Sequence, residues 1–142
     1  IYTKQVVEEA MRLYPPAWIL GRRSVRELEL GGYRIPAQTN LLIPIFHLHR
    51  DERYWEQPDD FRPERFAPEL RNEINRYQYM PFGAGPRTCI GNHFAMMEMQ
   101  VIVATLVRNF DFELPAGFEL QPQAQITLRP EPQITLKIQS LS

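Results

Sequence analysis

The stretch Phe-Gly-Ala-Gly-Pro-Arg-Thr-Cys-Ile-Gly at residues 82–91 is the most informative part of the chain. It contains the only cysteine, Cys89, immediately before a helical pattern at residues 91–109. Backbone N–H groups and the helix dipole stabilise a thiolate at such a position. The glycines on either side let the backbone approach a flat or bulky group closely. Cys89 is therefore a candidate nucleophile, redox sensor or axial ligand of haem iron.

Other interpretations of this stretch fit its residues less well. A phosphate-binding loop needs a Lys-Ser/Thr ending that is absent, and Pro86 removes an N–H donor. A cysteine protease needs a partner histidine, and none of His47, His49 and His93 lies in a recognisable signature. Cys89 and His93 supply two zinc ligands at most. A structural cysteine without a chemical role stays open as the general alternative.

Composition and charge exclude several classes of protein. The 142 residues carry a formal net charge of -1, so nothing indicates a nucleic acid or an anionic membrane as a partner. A single cysteine excludes an intramolecular disulfide and a zinc site built on several thiolates. The longest apolar run, residues 41–46, is too short to span a membrane. The 13 prolines indicate that long helices are few.

The pattern along the chain predicts an α+β fold with much irregular structure. A first helix is predicted to end at Pro15 and Pro16, and its apolar face comprises Val6, Val7, Ala10, Met11 and Tyr14. A short helix is predicted at residues 50–55. The apolar residues of the helix at 91–109 include Phe94, Met97, Val101, Ala104 and Leu106. Strands are predicted at residues 26–30, 33–35, 40–47, 110–114, 125–129 and 133–138. Gly31-Gly32 is predicted to form a turn between the first two, and the last two are predicted to pair as a hairpin.

Two further groups of residues are candidates for ion pairs. Glu9 and Arg12 lie three residues apart on the first helix and share a face, where alone they would be an ordinary surface pair. Residues 61–66, Phe-Arg-Pro-Glu-Arg-Phe, offer a second carboxylate and arginine set between aromatic residues. Burying an ion pair away from water costs free energy unless further hydrogen bonds satisfy both partners. His47 and His49, two apart on a predicted strand, are expected to pack or to form hydrogen bonds on one face.

In order and spacing, these segments resemble the cytochrome P-450 family. Residues 82–91 match its haem-ligand pattern Phe-x-x-Gly-x-Arg-x-Cys-x-Gly, residues 9–12 match its Glu-x-x-Arg helix, and residues 61–66 match its Phe-x-Pro-Glu-Arg-Phe segment. The resemblance implies the P-450 fold, which is mainly α-helical with small β-sheets. It also implies that residues 1–142 are about the C-terminal third of one such domain, ending in a β-hairpin, with no second domain.

The same resemblance implies roles for individual residues. Cys89 would be the thiolate ligand of the iron of haem b, and Arg87 and Arg22 (with Arg23 as the alternative to Arg22) would pair with the haem propionates. The full set of implied haem-binding residues is Arg22, Phe82, Gly85, Arg87, Cys89 and Gly91. The implied structural ion-pair network consists of Glu9, Arg12 and Arg65. The residues implied to line a hydrophobic substrate pocket are Ala17, Trp18, Ile19, Leu20, Ile126 and Thr127.

The activity implied by the resemblance is that of a haem-thiolate monooxygenase. Such an enzyme inserts one oxygen atom from O2 into a hydrophobic small molecule, with electrons from NAD(P)H delivered by a reductase or ferredoxin. Arg71, Arg76 and the face around Cys89 are candidate docking residues for that electron donor. A haem-thiolate enzyme that rearranges peroxides and a non-catalytic haem-binding or structural fragment remain as alternatives.

The family's long central helix, whose acidic residue and threonine deliver protons to bound dioxygen, has no counterpart in residues 1–142. We therefore expect this chain to need the N-terminal part of a longer protein as its partner and to be inactive alone. The expected location is cytoplasmic, and a membrane anchor in an upstream part stays open.

Overall fold

The chain, described by a computed structural model over residues 1–141, begins with helix α1, Tyr2–Leu13. The predicted helix is confirmed, and it ends before the two prolines because they cannot continue it. Its apolar face is only partly as expected. Val7 and Met11 are buried, whereas Ala10 and Tyr14 are exposed. The helix instead buries a set of polar residues, namely Gln5, Glu8, Glu9 and Arg12.

Two antiparallel pairs of strands follow α1. Strand β1, Leu20–Arg23, pairs with β4, Asn40–Ile43, and between them β2, Leu28–Leu30, pairs with β3, Tyr33–Ile35. The β2–β3 turn is made by Gly31 and Gly32, whose positive φ angles of 59° and 80° suit glycine. The hairpin is as predicted, but β1 was not predicted.

The predicted strand at residues 40–47 is wrong in its second half. The strand ends at Ile43 because Pro44 has no N–H to donate to a ladder, and Pro44 instead precedes the one-turn helix α2, Ile45–Leu48. His47 and His49 consequently do not share a strand face: His47 is exposed and His49 is buried.

Residues 50–55 form turns and not the predicted short helix. The Asp51 carboxylate accepts a hydrogen bond of 3.0 Å from the backbone N–H of Arg53, two residues on. This local bond competes with the helical pattern. The segment from residue 49 to residue 91 is otherwise irregular, with 3-10 turns at Pro63–Phe66 and Gly85–Arg87.

Helix α3, Asn92–Asn109, is the longest element, and it packs against α1. Its half-buried residues recur at helical spacing and lie on the side toward α1: Asn92, Ala95, Met96, Met99, Gln100 and Val103. Three of the apolar residues that the sequence placed on or near one face of this helix, Phe94, Met97 and Val101, are 57–65% exposed within residues 1–141. No helix in this part of the chain is both long and apolar enough to cross a membrane.

The last strands pair differently from the prediction. Strand β6, Gln121–Ala124, forms a hairpin with β7, Leu128–Glu131, while β5, Phe110–Glu113, pairs with β8, Lys137–Ser140. The predicted hairpin of residues 125–129 with 133–138 is therefore wrong. Strand β6 has no apolar alternation that would reveal it, and the register places its Pro122 opposite Pro130.

Candidate functional site

Residues 80–91, called the cysteine loop below, lead from a buried start to the N-terminus of α3. Met80 and Pro81 are buried, and the loop becomes exposed from Gly85 onward. Three backbone hydrogen bonds shape it: Gly83 N–H to the Met80 carbonyl at 3.0 Å, Cys89 N–H to the Phe82 carbonyl at 3.0 Å, and Thr88 N–H to the Gly85 carbonyl at 3.1 Å. The position of Cys89 therefore follows from the backbone of residues 80–82.

Two glycines of the cysteine loop have backbone conformations that other residues adopt at a cost. Gly83 has a φ of 74° and Gly85 a φ of 76°, both in the left-handed region. A Cβ on Gly85 would meet nothing within 4 Å. The reason for glycine at this position is therefore backbone conformation rather than lack of space.

Cys89 lies on the surface, two residues before Gly91, which occupies the N-cap position of α3. A Cβ on Gly91 would lie 3.9 Å from the Cys89 Sγ atom, which shows that this glycine leaves room directly beside the sulfur. Nearby, Arg87 is exposed and forms no ion pair with any residue of 1–141. Phe82 is half-buried at the base of the loop.

These features fit a haem group bound through one thiolate. Within residues 1–141 no three His, Cys, Asp or Glu side chains converge on a point that could hold a metal ion. A porphyrin brings most of the ligands of its iron, so a haem at Cys89 would need a single ligand from this part of the chain, the thiolate. The exposed sulfur, the glycine beside it and the unpaired guanidinium of Arg87 suit a flat group that carries carboxylates.

Arg22 is on β1 rather than in the cysteine loop. Its side chain is exposed, and its Nη1 atom donates a 2.8 Å hydrogen bond to the carbonyl of the adjacent Gly21. The neighbouring Arg23 donates from Nε to the Gln38 carbonyl at 3.2 Å. The beginning of β1 reaches the cysteine loop, since a Cβ on Gly83 would lie 3.6 Å from Leu20 Cδ1.

Glu9, Arg12 and Arg65 are brought together behind the cysteine loop, and we refer to them as the ionic cluster. Glu9 and Arg12 are completely buried. Arg12 donates from Nε and Nη2 to the two carboxylate oxygens of Glu9 at 2.8 and 2.9 Å. Arg65 donates from Nε to Glu9 Oε1 at 3.3 Å, and the backbone N–H of Arg62 donates to the same oxygen at 2.8 Å.

The remaining N–H groups of Arg12 are also satisfied. Nη1 donates to the carbonyls of His49 and Pro58, both at 2.7 Å, and Nη2 donates to the carbonyl of Asp60 at 3.1 Å. With the two bonds to Glu9, these account for all five N–H groups of a guanidinium. The ring of Trp55 lies 5.0 Å from the Arg12 guanidinium carbon. The sequence motifs did not indicate these carbonyl partners, which come from distant residues without a distinctive side-chain pattern.

Two titratable side chains beside the ionic cluster have displaced pKa values. Burial lowers the pKa of His49 to about 4, against a raising effect of its bond to the Arg12 carbonyl, and the positive charges of Arg12 and Arg50 lower it further. Burial, reinforced by the charge of Glu8, raises the pKa of Tyr79 above its ordinary value of 10. The Tyr79 hydroxyl donates to the Glu8 carbonyl at 3.0 Å. Both rings are therefore neutral near pH 7.

The segment after α1 and the β6–β7 hairpin lie together. The indole N–H of Trp18 donates to the Gln125 carbonyl at 2.8 Å, and the backbone N–H of Leu128 donates to the Pro16 carbonyl at 2.9 Å. Ile126, at the tip of the hairpin, is fully exposed. The two stretches that the sequence assigned to a substrate pocket are thus adjacent, and they comprise the half-buried Ala17, Trp18, Ile19 and Leu20 together with Ile126 and Thr127.

The two arginines suggested for docking an electron donor differ in their surroundings. Arg71 is half-buried, lies 3.5 Å from the Glu8 carboxylate and packs over Phe66 and Tyr79. Arg76 is exposed and packs only over the ring of Tyr77. Of the two, Arg76 has the more accessible charge.

Comparison with known proteins agrees with these features. The chain matches cytochrome P-450 over residues 1–138. It is 43% identical over 121 residues to the probable cytochrome P-450 4d20 of Drosophila melanogaster, which is 85% of this chain and 24% of that protein. It is 46% identical over 112 residues to cytochrome P-450 3A9 of Rattus norvegicus, which is 79% of this chain and 22% of that protein. The chain thus spans about a quarter of the length of these relatives, and it belongs to the cytochrome P-450 family.

Proposed function

We propose that residues 1–142 are the haem-ligand region, in the C-terminal part, of a haem-thiolate monooxygenase. The observation that carries the proposal is the exposed Cys89 just before the N-terminus of α3, in a loop whose Gly91 leaves room beside the sulfur. Membership of the P-450 family supports it. The reaction would insert one oxygen atom from O2 into a hydrophobic small molecule, with electrons from NAD(P)H passed on by a reductase or ferredoxin.

In this proposal Cys89 holds haem b through its sulfur, and the haem supplies the activation of dioxygen at its iron. Arg87 and Arg22 hold the propionates as charge-assisted donors. Gly91 keeps the start of α3 free of a side chain next to Cys89 Sγ. Phe82, whose carbonyl accepts the Cys89 N–H, shields the base of the loop, and Gly85 allows the turn that presents Arg87.

The ionic cluster has a supporting role in the proposal. Glu9 and Arg12 are both fully buried on α1. Arg12 donates to the Pro58 carbonyl and Glu9 accepts from the Arg62 N–H, and these bonds hold the end of α1 to the segments around residues 58–65. The cysteine loop begins at the buried Met80, whose N–H donates to His49, and the carbonyl of His49 accepts from Arg12. The cluster therefore gives the loop a rigid base, and Arg65 completes it from the 3-10 turn Pro63–Phe66.

The proposal for the substrate rests on two segments, the one after α1 and the β6–β7 hairpin, which are joined by the hydrogen bond from Trp18 to the Gln125 carbonyl. Ala17, Ile19, Leu20 and Ile126 are apolar, so we propose that the substrate is hydrophobic. The tip residue Ile126 is 101% exposed in this chain, which would leave it free to contact a substrate or another part of the same protein. A cytoplasmic location stays a prediction from the sequence.

We also propose that the chain acts only together with an N-terminal part and is inactive alone. The outward face of α3 carries Phe94, Met97 and Val101, each more than half exposed. Such a stripe of large apolar side chains is the kind of surface that another part of a protein covers. The match to only 22–24% of the length of the relatives agrees with this view.

The test of haem–thiolate ligation uses the full-length protein that contains residues 1–142. We expect the carbon monoxide complex of the reduced protein to show the strongly red-shifted Soret band of a thiolate-ligated haem, and we expect Cys89→Ser to abolish it. Thr88→Ser, which keeps the hydroxyl that donates to the Gly85 carbonyl, is the matched control and should retain the band. Retention of the band in Cys89→Ser would overturn the proposal.

A monooxygenase and a peroxide-rearranging enzyme would both show this Soret band, and their dependence on NAD(P)H distinguishes them. A monooxygenase needs NAD(P)H and its redox partner for turnover, whereas an enzyme that rearranges peroxides turns over without them. Absence of any turnover in the full-length protein, together with an intact Soret band, would favour the non-catalytic alternative. The 142-residue chain supplied with haem, NAD(P)H and a redox partner should not turn over, and coupled turnover would contradict the proposal that it needs the N-terminal part.

A further inference from the structure

His49 is completely buried between the end of α1 and the start of the cysteine loop. Its Nδ1 atom lies 3.1 Å from the Arg12 carbonyl oxygen, and its Nε2 atom lies 2.9 Å from the backbone nitrogen of Met80. The ring stacks on Tyr79, with centroids 5.3 Å apart. One imidazole therefore joins three segments that are far apart in the sequence.

The two partners fix the tautomer of this imidazole. A backbone carbonyl only accepts hydrogen bonds and a backbone N–H only donates them. Nδ1 must therefore carry the proton that is donated to Arg12, and Nε2 must be the bare nitrogen that accepts from Met80. A protonated ring would place an N–H against the Met80 N–H. The geometry thus requires a neutral ring with one defined tautomer.

The hydrogen bond from Met80 to His49 holds the start of the cysteine loop, and the backbone there in turn holds Cys89. The Met80 carbonyl accepts from Gly83, and the carbonyl of Phe82, two residues after Met80, accepts from Cys89. On its other side His49 is held by Arg12 in both directions, because Arg12 Nη1 donates to the His49 carbonyl at 2.7 Å. A continuous set of hydrogen bonds therefore leads from the ionic cluster through His49 into the cysteine loop.

We propose that His49 is a positioning residue that fixes the start of the cysteine loop to the end of α1 through its bare Nε2 atom, and thereby sets where Cys89 lies. The inference rests on the proposed function only in taking Cys89 as the haem ligand. A side chain that merely fills space would need its volume and its stacking on Tyr79. A positioning residue needs the acceptor at Nε2, and this difference can be tested.

Three variants separate these roles in the full-length, haem-loaded protein. His49→Gln can offer an acceptor near the position of Nε2. His49→Asn offers a donor near the position of Nδ1 and nothing for Met80. His49→Phe keeps the ring and its stacking but removes both hydrogen bonds. Ile45→Ala is the matched control, because Ile45 is equally buried on α2 and makes no side-chain hydrogen bond to the loop.

The first readout is hydrogen exchange of the Met80, Gly83 and Cys89 amides, which does not depend on haem chemistry. We expect His49→Asn and His49→Phe to speed exchange at these amides about tenfold or more relative to the amides of β5 and β8, as the loss of a buried hydrogen bond implies. We expect His49→Gln to stay within about threefold of the wild-type protein. Ile45→Ala should change the hydrogen-exchange rates of core amides in general, without a specific effect on these three.

The second readout is the fraction of the reduced carbon monoxide complex that shows the thiolate-type Soret band. His49→Asn and His49→Phe should lower this fraction, and His49→Gln should keep it. If His49→Phe does not fold, the comparison of His49→Gln with His49→Asn decides whether the acceptor at Nε2 is needed. In the wild-type protein the 15N signals of the imidazole should show the proton on Nδ1. A proton on Nε2 would overturn the inference.

Equal exchange in the Asn, Gln and wild-type proteins would also overturn the inference, as would a selective effect of Ile45→Ala on the same amides. If the wild-type protein itself lacks the thiolate-type band while the exchange pattern is as expected, the proposed haem function is wrong and the role of His49 in the loop stands. The two failures are therefore distinguishable.

Discussion

The ionic cluster and the cysteine loop differ in how completely their polar groups are satisfied. Glu9 and Arg12 are 0% exposed, and Arg12 uses all five of its N–H groups inside the protein. Cys89 and Arg87, by contrast, are on the surface, and Arg87 has no ion-pair partner within residues 1–141. The charges of the ionic cluster are paired inside the protein, whereas Cys89 and Arg87 of the cysteine loop are accessible from outside.

The difference has a physical reason. A buried ion pair is stabilising only when additional hydrogen bonds offset the loss of hydration, and the cluster obtains them from carbonyls and from the Arg62 N–H. A ligand-binding loop needs groups that are still free to bind. The ionic cluster is therefore suited to hold a fixed geometry, whereas the cysteine loop is suited to bind a ligand. His49 lies between the two.

The largest expected effect comes from breaking the cluster at Glu9. Glu9→Gln removes the negative charge opposite Arg12 and places an amide N–H group among N–H donors, so Arg12 stays buried without a counter-charge. We expect the free energy of unfolding to fall by about 3–5 kcal/mol, measured by urea denaturation.

The matched control for Glu9→Gln is Glu27→Gln. Glu27 and Arg34 form an ion pair with the same N–O distance, 2.8 Å, but both side chains are more than half exposed. Water replaces the lost partner there, so the change should stay below about 0.5 kcal/mol. Similar losses in the two variants would show that burial does not distinguish the two pairs, and the comparison between cluster and surface would fail.

The next effect is the pH dependence contributed by His49. Burial holds its pKa at about 4, while the ordinary value in an unfolded chain is 6.5. Between these two pH values the unfolded chain binds a proton that the folded chain does not, so stability is full above pH 6.5 and falls as the pH is lowered toward 4. The shift corresponds to a loss of about 3 kcal/mol.

His49→Phe isolates this contribution from those of other groups. The variant should be less stable at pH 7 because its hydrogen bonds are lost, but its stability should fall less steeply between pH 6.5 and 4. Asp51 does not obscure the window, because its hydrogen bonds with Arg53 lower its pKa to about 2. Parallel urea-denaturation profiles for the two proteins across this window would show that His49 is not held neutral.

The elements that the sequence could predict are those whose signal is local. Helix α1 was recognisable from its apolar spacing and its terminal prolines, and β3 and the glycine turn before it from β-type residues and Gly31-Gly32. Strand β6, with the sequence Gln-Pro-Gln-Ala, has no alternation and is formed only because β7 folds back on it. Its existence could not be read from its own residues.

The same distinction holds at the candidate site. A lone cysteine before a helix, between glycines, identifies the cysteine loop from a few consecutive residues. The partners of Arg12 are backbone carbonyls as far as 48 residues away along the chain, and a carbonyl is present at every residue. His49 was expected to pack or to form hydrogen bonds, but on a strand. Its place between Arg12 and Met80 depends on the helix that follows Pro44.

The smallest expected effects concern two glycines of the cysteine loop. Gly85 has a φ of 76° and open space around it, so Gly85→Ala should cost about 1 kcal/mol of stability through backbone strain alone. Gly91 has a φ of -86°, which any residue adopts, and a Cβ there would make an ordinary 3.9 Å contact with Cys89 Sγ. In the haem-free protein Gly91→Ala should therefore change stability by less than about 0.5 kcal/mol.

These two variants sharpen the description of the cysteine loop as a surface prepared for a ligand. If Gly91 is kept for the space beside the sulfur, Gly91→Ala should speed the loss of haem from the full-length protein although it leaves the haem-free protein unchanged. Gly85→Ala should lower the stability of both forms. Urea denaturation with and without haem, together with the rate of haem transfer to an acceptor protein, measures both effects. A haem-loss rate for Gly91→Ala equal to that of the wild-type protein would show that the space beside Cys89 is not used by the haem.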